Sequence, residues 1–315
     1  MTTLSFQHIM SASSPDPSAP WSASIVVPAH NEASRGFVTL DLLGRAIGEL
    51  NCLVIIVCNG CNDSTSAMAR SLPRVVVLDV ETASKSNALN LGDDAAGDVF
   101  PRIYLDADVE MTLESLHELL TAVGDDAPVA AGPEVTYAAA KSGRIVRNYF
   151  EAVQRLPFLV AIGGQHLEGR GAYAVSRTGR SRFDKFPELL ADDAFFDRMF
   201  DKGEKRVVRT SMARLSVPSR TRDLLRSQVR MARGSRELHA WLISTHPERL
   251  VVSGAQSDPR SSVWGRLRAH ARTGIVIPGG GPHGVELSLT YLMVEAAARV
   301  GASLSLHLGR TVSWR

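Results

Sequence analysis

The 315-residue sequence is short of cysteine, has no long apolar run, and lacks lysine altogether after residue 205; each shortage narrows what the chain can be. Cys52, Cys58 and Cys61 are odd in number and close together, which argues against a secreted disulfide framework and fits a reducing compartment. Cys58 and Cys61 form a C-x-x-C, but no second Cys or His pair stands at zinc-finger spacing. Small residues ending a buried strand are the simpler reading. No run of about 18 uncharged apolar residues occurs. The best candidate, Val285 to Val300, is interrupted by Glu286, Glu295 and Arg299, so a spanning helix is not expected. Residues 1–21 lack the basic start and apolar stretch of a signal peptide and read as a flexible leader.

What is present describes a globular protein. Apolar residues make up 44% and charged residues 22%. The length suits one large α/β domain with a helical extension, or two ordinary domains. The net charge of +2 hides an asymmetry: residues 206–315 hold 17 arginines and six acids, for +11, while residues 1–205 carry −9. The C-terminal part therefore suits something anionic, whether a diphosphate, an acidic acceptor or a membrane surface.

From Ser24 short β-rich runs alternate with helical patterns, which argues for a sheet with many parallel strands. The expected strands are Ser24 to Pro28, Leu53 to Val57, Arg74 to Leu78, Arg102 to Leu105 and Val129 to Ala131. Phe37, Leu40, Leu43, Ile47 and Leu50 have helical spacing, and further helices are expected near Asn87 to Asp94 and Ile145 to Val160. Ser64 or Thr65 is placed to cap a helix after the turn Asn59 to Asp63. Two β-like runs follow, Arg206 to Thr210 and Met212 to Val217. Arg222, Arg226, Arg230 and Arg233 then share one face of a long helix. Gly279 to Pro282 reads as a loop.

Asp106 and Asp108 directly follow the apolar run ending at Leu105. Ligands in open α/β sheets bind beyond the carboxyl ends of strands, and the ends near Pro28, Asn59 and Asp106 are expected to converge. Two carboxylates one residue apart can hold a divalent cation that keeps waters and binds phosphate oxygens. Spacing alone leaves a solvated turn, a metal site and a phosphatase nucleophile strand all open.

Four strings, in order, narrow the choice: S-I-V-V-P-A-H-N-E from Ser24, V-C-N-G-C-N-D-S-T from Val57, S-K-S-N-A-L-N from Ser84, and I-Y-L-D-A-D from Ile103. In order and spacing they resemble the nucleotide-binding half of family 2 glycosyltransferases. The resemblance continues through G-R-G-A-Y-A-V-S-R at 169–177 and A-D-D-A-F-F at 191–196.

It implies a GT-A-like three-layer α/β/α fold with a mostly parallel mixed sheet and a helical C-terminal extension. A catalytic domain would span 22–217 and an Arg-rich extension on the acceptor side 218–315. Pro28, Ala29, Asn31 and Glu32 match the loop lining the nucleoside, and Asp63 the acid that meets the base. Asn59 and Ala107 lie within the second and fourth strings and are counted with the donor site. Lys85 resembles the family's lysine near the donor, and Asp106 and Asp108 match its metal motif, for Mn²⁺ or Mg²⁺. Asp193 matches the general base, with Asp192 standing where the family usually has Glu. Ser227 to Gly234 resembles the Q-x-x-R-W region of processive members, with Ser227 and Met231 replacing Gln and Trp. A processive synthase is therefore disfavoured, while Arg230 and Arg233 are candidates to meet the diphosphate.

The implied activity is metal-dependent, inverting, non-processive transfer from a UDP- or GDP-linked sugar to an acceptor hydroxyl. The acceptor is not identified. The expected location is cytoplasmic, or peripheral to the inner face of the membrane. Direct displacement with one base and a cation offsetting diphosphate charge is chemically sufficient. The rivals are a haloacid-dehalogenase-like phosphohydrolase, with Gly92-Asp93 and Asp98 as its acidic motif, and a non-catalytic nucleotide-sugar binder. A nucleic-acid partner, resting on electrostatics alone, is not expected.

Overall fold

The computed structural model describes residues 20–126, 128–156, 159–160, 164–252 and 281–307. The expected leader up to residue 19, and Gly279 and Gly280 of the expected loop, lie outside the described residues.

In chain order the elements are β1 (Ala23–Ala29), α1 (Leu40–Glu49), β2 (Cys52–Asn59), α2 (Thr65–Ala69), β3 (Val76–Val80), α3 (Lys85–Ala96), β4 (Arg102–Leu105), β5 (Val109–Met111) and α4 (Leu113–Thr121). There follow β6 (Ala130–Tyr137), α5 (Arg144–Arg155), β7 (Ala172–Val175), α6 (Arg177–Arg180), α7 (Asp192–Arg198), β8 (Lys205–Leu215), α8 (Thr221–Thr245), α9 (Pro247–Val252) and α10 (Gly281–His307).

The strands form one mixed sheet in the order β3-β2-β1-β4-β7-β6-β8-β5. β3, β2, β1 and β4 run parallel, and β7 pairs antiparallel with both β4 and β6. Every residue of β1 and β2 is buried, as expected of parallel strands covered on both faces. Ile25, Val27, Val54, Ile56, Ile103 and Leu105 face Leu43 and Ile47 of α1 and Leu116 and Leu119 of α4 in one core. Alternation turns Val26 to the other face, where α3 covers it. There the approach is so close that a Cβ on Gly92 would stand 2.2 Å from Val26 Cγ1.

Several local expectations shift. Arg74 has a left-handed φ of 57°, so the turn extends further and β3 starts at Val76. β6 runs on to Tyr137, and the helix expected to reach Val160 ends at Arg155. The two runs around Ser211 are one strand, because the Ser211 hydroxyl is satisfied by the Ser115 carbonyl at 2.7 Å. Ser64 makes no side-chain cap; Asp63 Oδ1 accepts from the Thr65 N–H at 3.0 Å and does that work instead. Gly281 and Pro282 open α10, where a missing N–H is harmless. Burial pushes the Cys58 thiol up to about 12, which keeps it protonated and favours the packing reading of the C-x-x-C.

The chain divides into two compact units. The first comprises residues up to Val135, Arg170–Glu188 and Gly203–Leu215, and carries the sheet core. The second comprises Thr136–Gly169, Leu189–Lys202 and the chain from Ser216, and so draws on both sides of residue 217. Its core is helical: Val146, Tyr149, Leu156, Leu224, Leu287, Tyr291 and Val294 are buried together, with Tyr149 and Tyr291 stacked at 5.6 Å.

Gly92→Ala is expected to destabilise the chain by about 1–3 kcal/mol through overpacking against Val26. Adding Val26→Ala to the same chain should recover part of that loss in urea unfolding. An unchanged midpoint for Gly92→Ala would show that α3 can move away from β1 freely.

Candidate active site

The candidate site is assembled in the first unit, at the carboxyl ends of β1, β2 and β4. Beyond β1 the chain turns at Asn31, whose φ of 55° lies in the left-handed region that Asn tolerates better than most residues. Pro28 and Ala29 close the strand, and the Asn59 amide donates to the Ala29 carbonyl at 2.9 Å. His30 Nδ1 lies 2.7 Å from the Asn59 carbonyl, so this histidine ties one strand end to the other.

The loops after β1 and β2 are laced together. Asn31 Oδ1 accepts from the Asn62 N–H at 2.9 Å, and Thr65 Oγ1 accepts from the Glu32 N–H at 2.7 Å. Asp63 Oδ2 accepts from the Ala33 N–H at 3.1 Å, while its Oδ1 takes the Thr65 hydroxyl at 2.5 Å. Desolvation pushes the Asp63 carboxyl upward, but the bonds from Thr65 and Ala33 outweigh it and hold the pKa below its ordinary 3.8. Glu32 is buried, whereas Asp63 is exposed.

Asp106 is positioned by β7, its N–H donating to the Gly171 carbonyl at 2.8 Å. Gly171 has a φ of 68°, and a Cβ there would lie 2.4 Å from Val109 Cγ2; glycine is required on both counts. Ala107 is buried, and its carbonyl accepts from Thr39 Oγ1 at 3.2 Å. Each aspartate has a cation. Lys85 Nζ stands 2.8 Å from Asp106 Oδ1, and Arg35 Nη1 stands 2.8 Å from Asp108 Oδ2. Lys85 is the first residue of α3, where the helix dipole disfavours a positive charge, so the Asp106 carboxylate offsets an unfavourable placement.

Two carboxylates supply hard oxygen donors of the kind Mg²⁺ or Mn²⁺ accepts when the rest of its shell is water and phosphate. Among the described residues no group of three or more His, Cys, Asp or Glu is placed to hold a metal. The donor set of Asp106 and Asp108 thus fits a metal shared with a substrate, and not a closed structural site.

Asp193, Arg230 and Arg233 belong to the second unit. Asp193 lies in the first turn of α7, with Ala191 as its N-cap. Its Oδ2 accepts from the Gly169 N–H at 2.6 Å and its Oδ1 from the Ala194 N–H at 2.8 Å. One turn on, Asp197 is fully buried and accepts from the Leu167 N–H at 2.7 Å; His166 Nδ1 lies 2.8 Å from its other oxygen. The two carboxylates clamp residues 166–169. Arg233 is paired with Glu237 at 2.8 Å, and Arg230 is half-buried.

Sequence reasoning missed Arg35 and Asp197, and read Thr65 only as a helix cap. Arg35 and Thr65 act on partners in other loops, Asp108 and Glu32, whose approach no periodicity reveals. Asp197 carried a legible signal: an acid four residues after Asp193 shares its helix face.

The chain is similar to several solved structures. Among solved structures, the mannosyltransferase PcManGT from Pyrobaculum calidifontis, in complex with GDP-Man and Mn²⁺, superposes with a TM-score of 0.64 at 18% identity, covering 97% of this chain and 93% of that one. Glucosyl-3-phosphoglycerate synthase from Mycobacterium tuberculosis gives 0.48 at 18% identity, over 71% and 79%. Residues 1–349 of TarS from S. aureus give 0.45 at 12% identity, over 91% of each chain. No curated protein sequence matches significantly.

Asp63→Asn is expected to lower stability at neutral pH by weakening the loop ties. Because the folded-state pKa is depressed, the carboxylate's contribution is full above the ordinary carboxylate range and disappears as the pH falls through and below 3.8. The wild type's advantage in urea midpoint over Asp63→Asn should therefore shrink on acidification. An advantage that stays constant down to the acid limit would refute the assignment.

The first four strings of the sequence, the strand ends they occupy and a match to Glycosyl transferase family 2 over residues 24–190, more than half of the chain, agree: the chain belongs to that family.

Proposed function

We propose that the chain transfers a sugar from a nucleotide diphosphate donor to an acceptor hydroxyl, with a divalent metal held by Asp106 and Asp108. The observation that carries this reading is the acidic pair at the end of β4, each member matched to a cation and set beside the Asn31–Glu32 and Asp63 loops. A bound Mg²⁺ or Mn²⁺ would supply electrostatic relief for the departing diphosphate. Lys85 and Arg35 add two fixed positive charges beside the pair, suited to an anionic donor. Pro28, Ala29, Asn31, Glu32 and Asn59 are assigned to the nucleoside side, Asn31 from the partly exposed loop and the four buried residues from beneath it. The Mn²⁺ and GDP-Man bound to PcManGT are compatible with this assignment.

Asp193 is assigned as the base that takes the acceptor proton. With one base and no covalent nucleophile invoked, the transfer is direct and inverts the anomeric centre. Arg230 and Arg233 are assigned to the diphosphate side, and the loss of Gln and Trp around them favours a single transfer over processive synthesis. The phosphohydrolase alternative is weakened by its acidic motif. Asp93 is buried against Arg102 and Arg180, and Asp98 pairs with Arg177.

A screen of UDP- and GDP-linked sugars should raise the melting temperature only when Mn²⁺ or Mg²⁺ is present, by about 4 °C at a hundredfold excess over Kd. Asp106→Asn with Asp108→Asn should abolish that shift; a shift indifferent to metal in both chains would remove the metal assignment.

Asp193→Asn is expected to lower kcat by about 10²–10⁴ with donor KM unchanged. Full transfer activity in that variant would assign the base elsewhere.

A further inference from the structure

Helix α10, in the second unit, is apolar on its outward side as well as toward its core. Its exposed large side chains are Val285, Leu289, Met293, Val300 and Leu304, between 39% and 65% exposed, and the exposed residues between them are Ala296 and Ala297. Steps of four, four, seven and four residues keep the five within an arc of about 100°, and the stripe is about 28 Å long. No exposed residue from Val285 to Leu304 is charged.

Four polar side chains of the same stretch bond within the unit. Glu286 accepts from Arg144 at 2.6 Å and from the Asn148 amide at 2.8 Å, and Glu295 from the Tyr149 hydroxyl at 2.9 Å. The Ser288 and Thr290 hydroxyls donate to carbonyls of their own helix at 3.0 and 2.8 Å. A contiguous apolar stripe left facing water marks a surface that something covers.

Charge indicates what. At the C-terminal end of the stripe the Arg236 guanidinium donates to Ser303 Oγ at 3.0 Å, next in sequence to Leu304. At the other end Arg144, whose side chain is 73% exposed, reaches Glu286 beside Val285. Arg222 and Arg226 are exposed on α8, and residues 206–315 carry +11 with no lysine. A second copy pairing through α10 would bring two strongly basic segments together. An anionic bilayer would bury the stripe and offset the net positive charge of the region at once. Among the described residues no helix is long and apolar enough to cross a membrane, so α10 would lie along the surface.

We propose that the Val285–Leu304 face of α10, flanked by Arg144 and Arg236, binds the surface of an anionic phospholipid membrane. This goes beyond the transfer reaction and holds whichever sugar is moved. The test is co-sedimentation of the full chain with phosphatidylcholine vesicles and with vesicles that also contain phosphatidylglycerol. The wild type is expected to bind the anionic vesicles and to leave them at high salt. Leu289→Gln with Met293→Gln, both exposed, should weaken binding at least tenfold with circular dichroism and melting temperature unchanged. Arg236→Gln should weaken it about fivefold, the worth of one arginine near an anionic surface. Equal binding by the double variant overturns the proposal. So does absence of binding to the anionic vesicles, or light scattering that finds a wild-type dimer, made monomeric by the double variant, that ignores vesicles.

Discussion

One buried carboxylate organises the first unit. Asp93, on α3, accepts from the Tyr104 hydroxyl at 2.6 Å through one oxygen and from Arg180 at 2.9 Å through the other, and Arg102 bonds to the same oxygen as Tyr104. Such a cluster is stable only if every remaining donor is satisfied, because a buried charge without partners costs several kcal/mol. Here they are. Arg102 donates to Gly97 O at 2.6 Å and Ser24 Oγ at 3.1 Å, and Arg180 to the Phe183 and Asp184 carbonyls at 2.6 and 2.9 Å. Phe100 and Phe183 cover the guanidinium faces. Burial and then the Asp93 charge push the Tyr104 phenol well above its ordinary value, so it remains a donor.

The consequence reaches the acidic pair through covalent continuity. Arg102 and Tyr104 lie on β4, and Asp106 is the next residue on that alternation. Asp93 lies on the same helix that begins with Lys85. The network therefore fixes both partners of the Lys85–Asp106 contact from beneath, while β7 fixes Asp106 laterally through Gly171. Exposed ion pairs such as Arg35–Asp108 contribute little to stability by themselves. Under the proposed function their value lies in setting charge beside the strand end, where a metal and a diphosphate would meet opposite signs without rearranging the sheet.

The second unit solves a different problem with the same means. Gly169 and Leu167 donate their N–H groups to Asp193 and Asp197, so a glycine-rich segment is held by two acids one helical turn apart. Farther along the chain Glu286 and Glu295 anchor α10 to α5 through Arg144, Asn148 and Tyr149. Because its polar residues are used internally, α10 presents apolar side chains outward. The basic character of the region then falls to α8 and α5.

The parallel core, the strand ends and the acidic pair were legible in the residues themselves, because continuous apolar runs and turn residues report a strand's burial and its end locally. The ordered strings around Pro28, Asn59, Lys85 and Asp106 were legible for the same reason: each covers the end of one element and the turn beside it. The antiparallel β5 and β7, the single long β8 through Ser211, and the Asp93 cluster were not. Ser211 looks like a break until Ser115 is placed beside it, and Asp93 looks like a surface acid until Arg102 and Arg180 meet it. Sequence fixed which local segments are apolar, turning or acidic. Only the tertiary structure decided which charges neutralise one another and which face of α10 is left to solvent, because those depend on residues far apart in the chain being brought within a few ångströms.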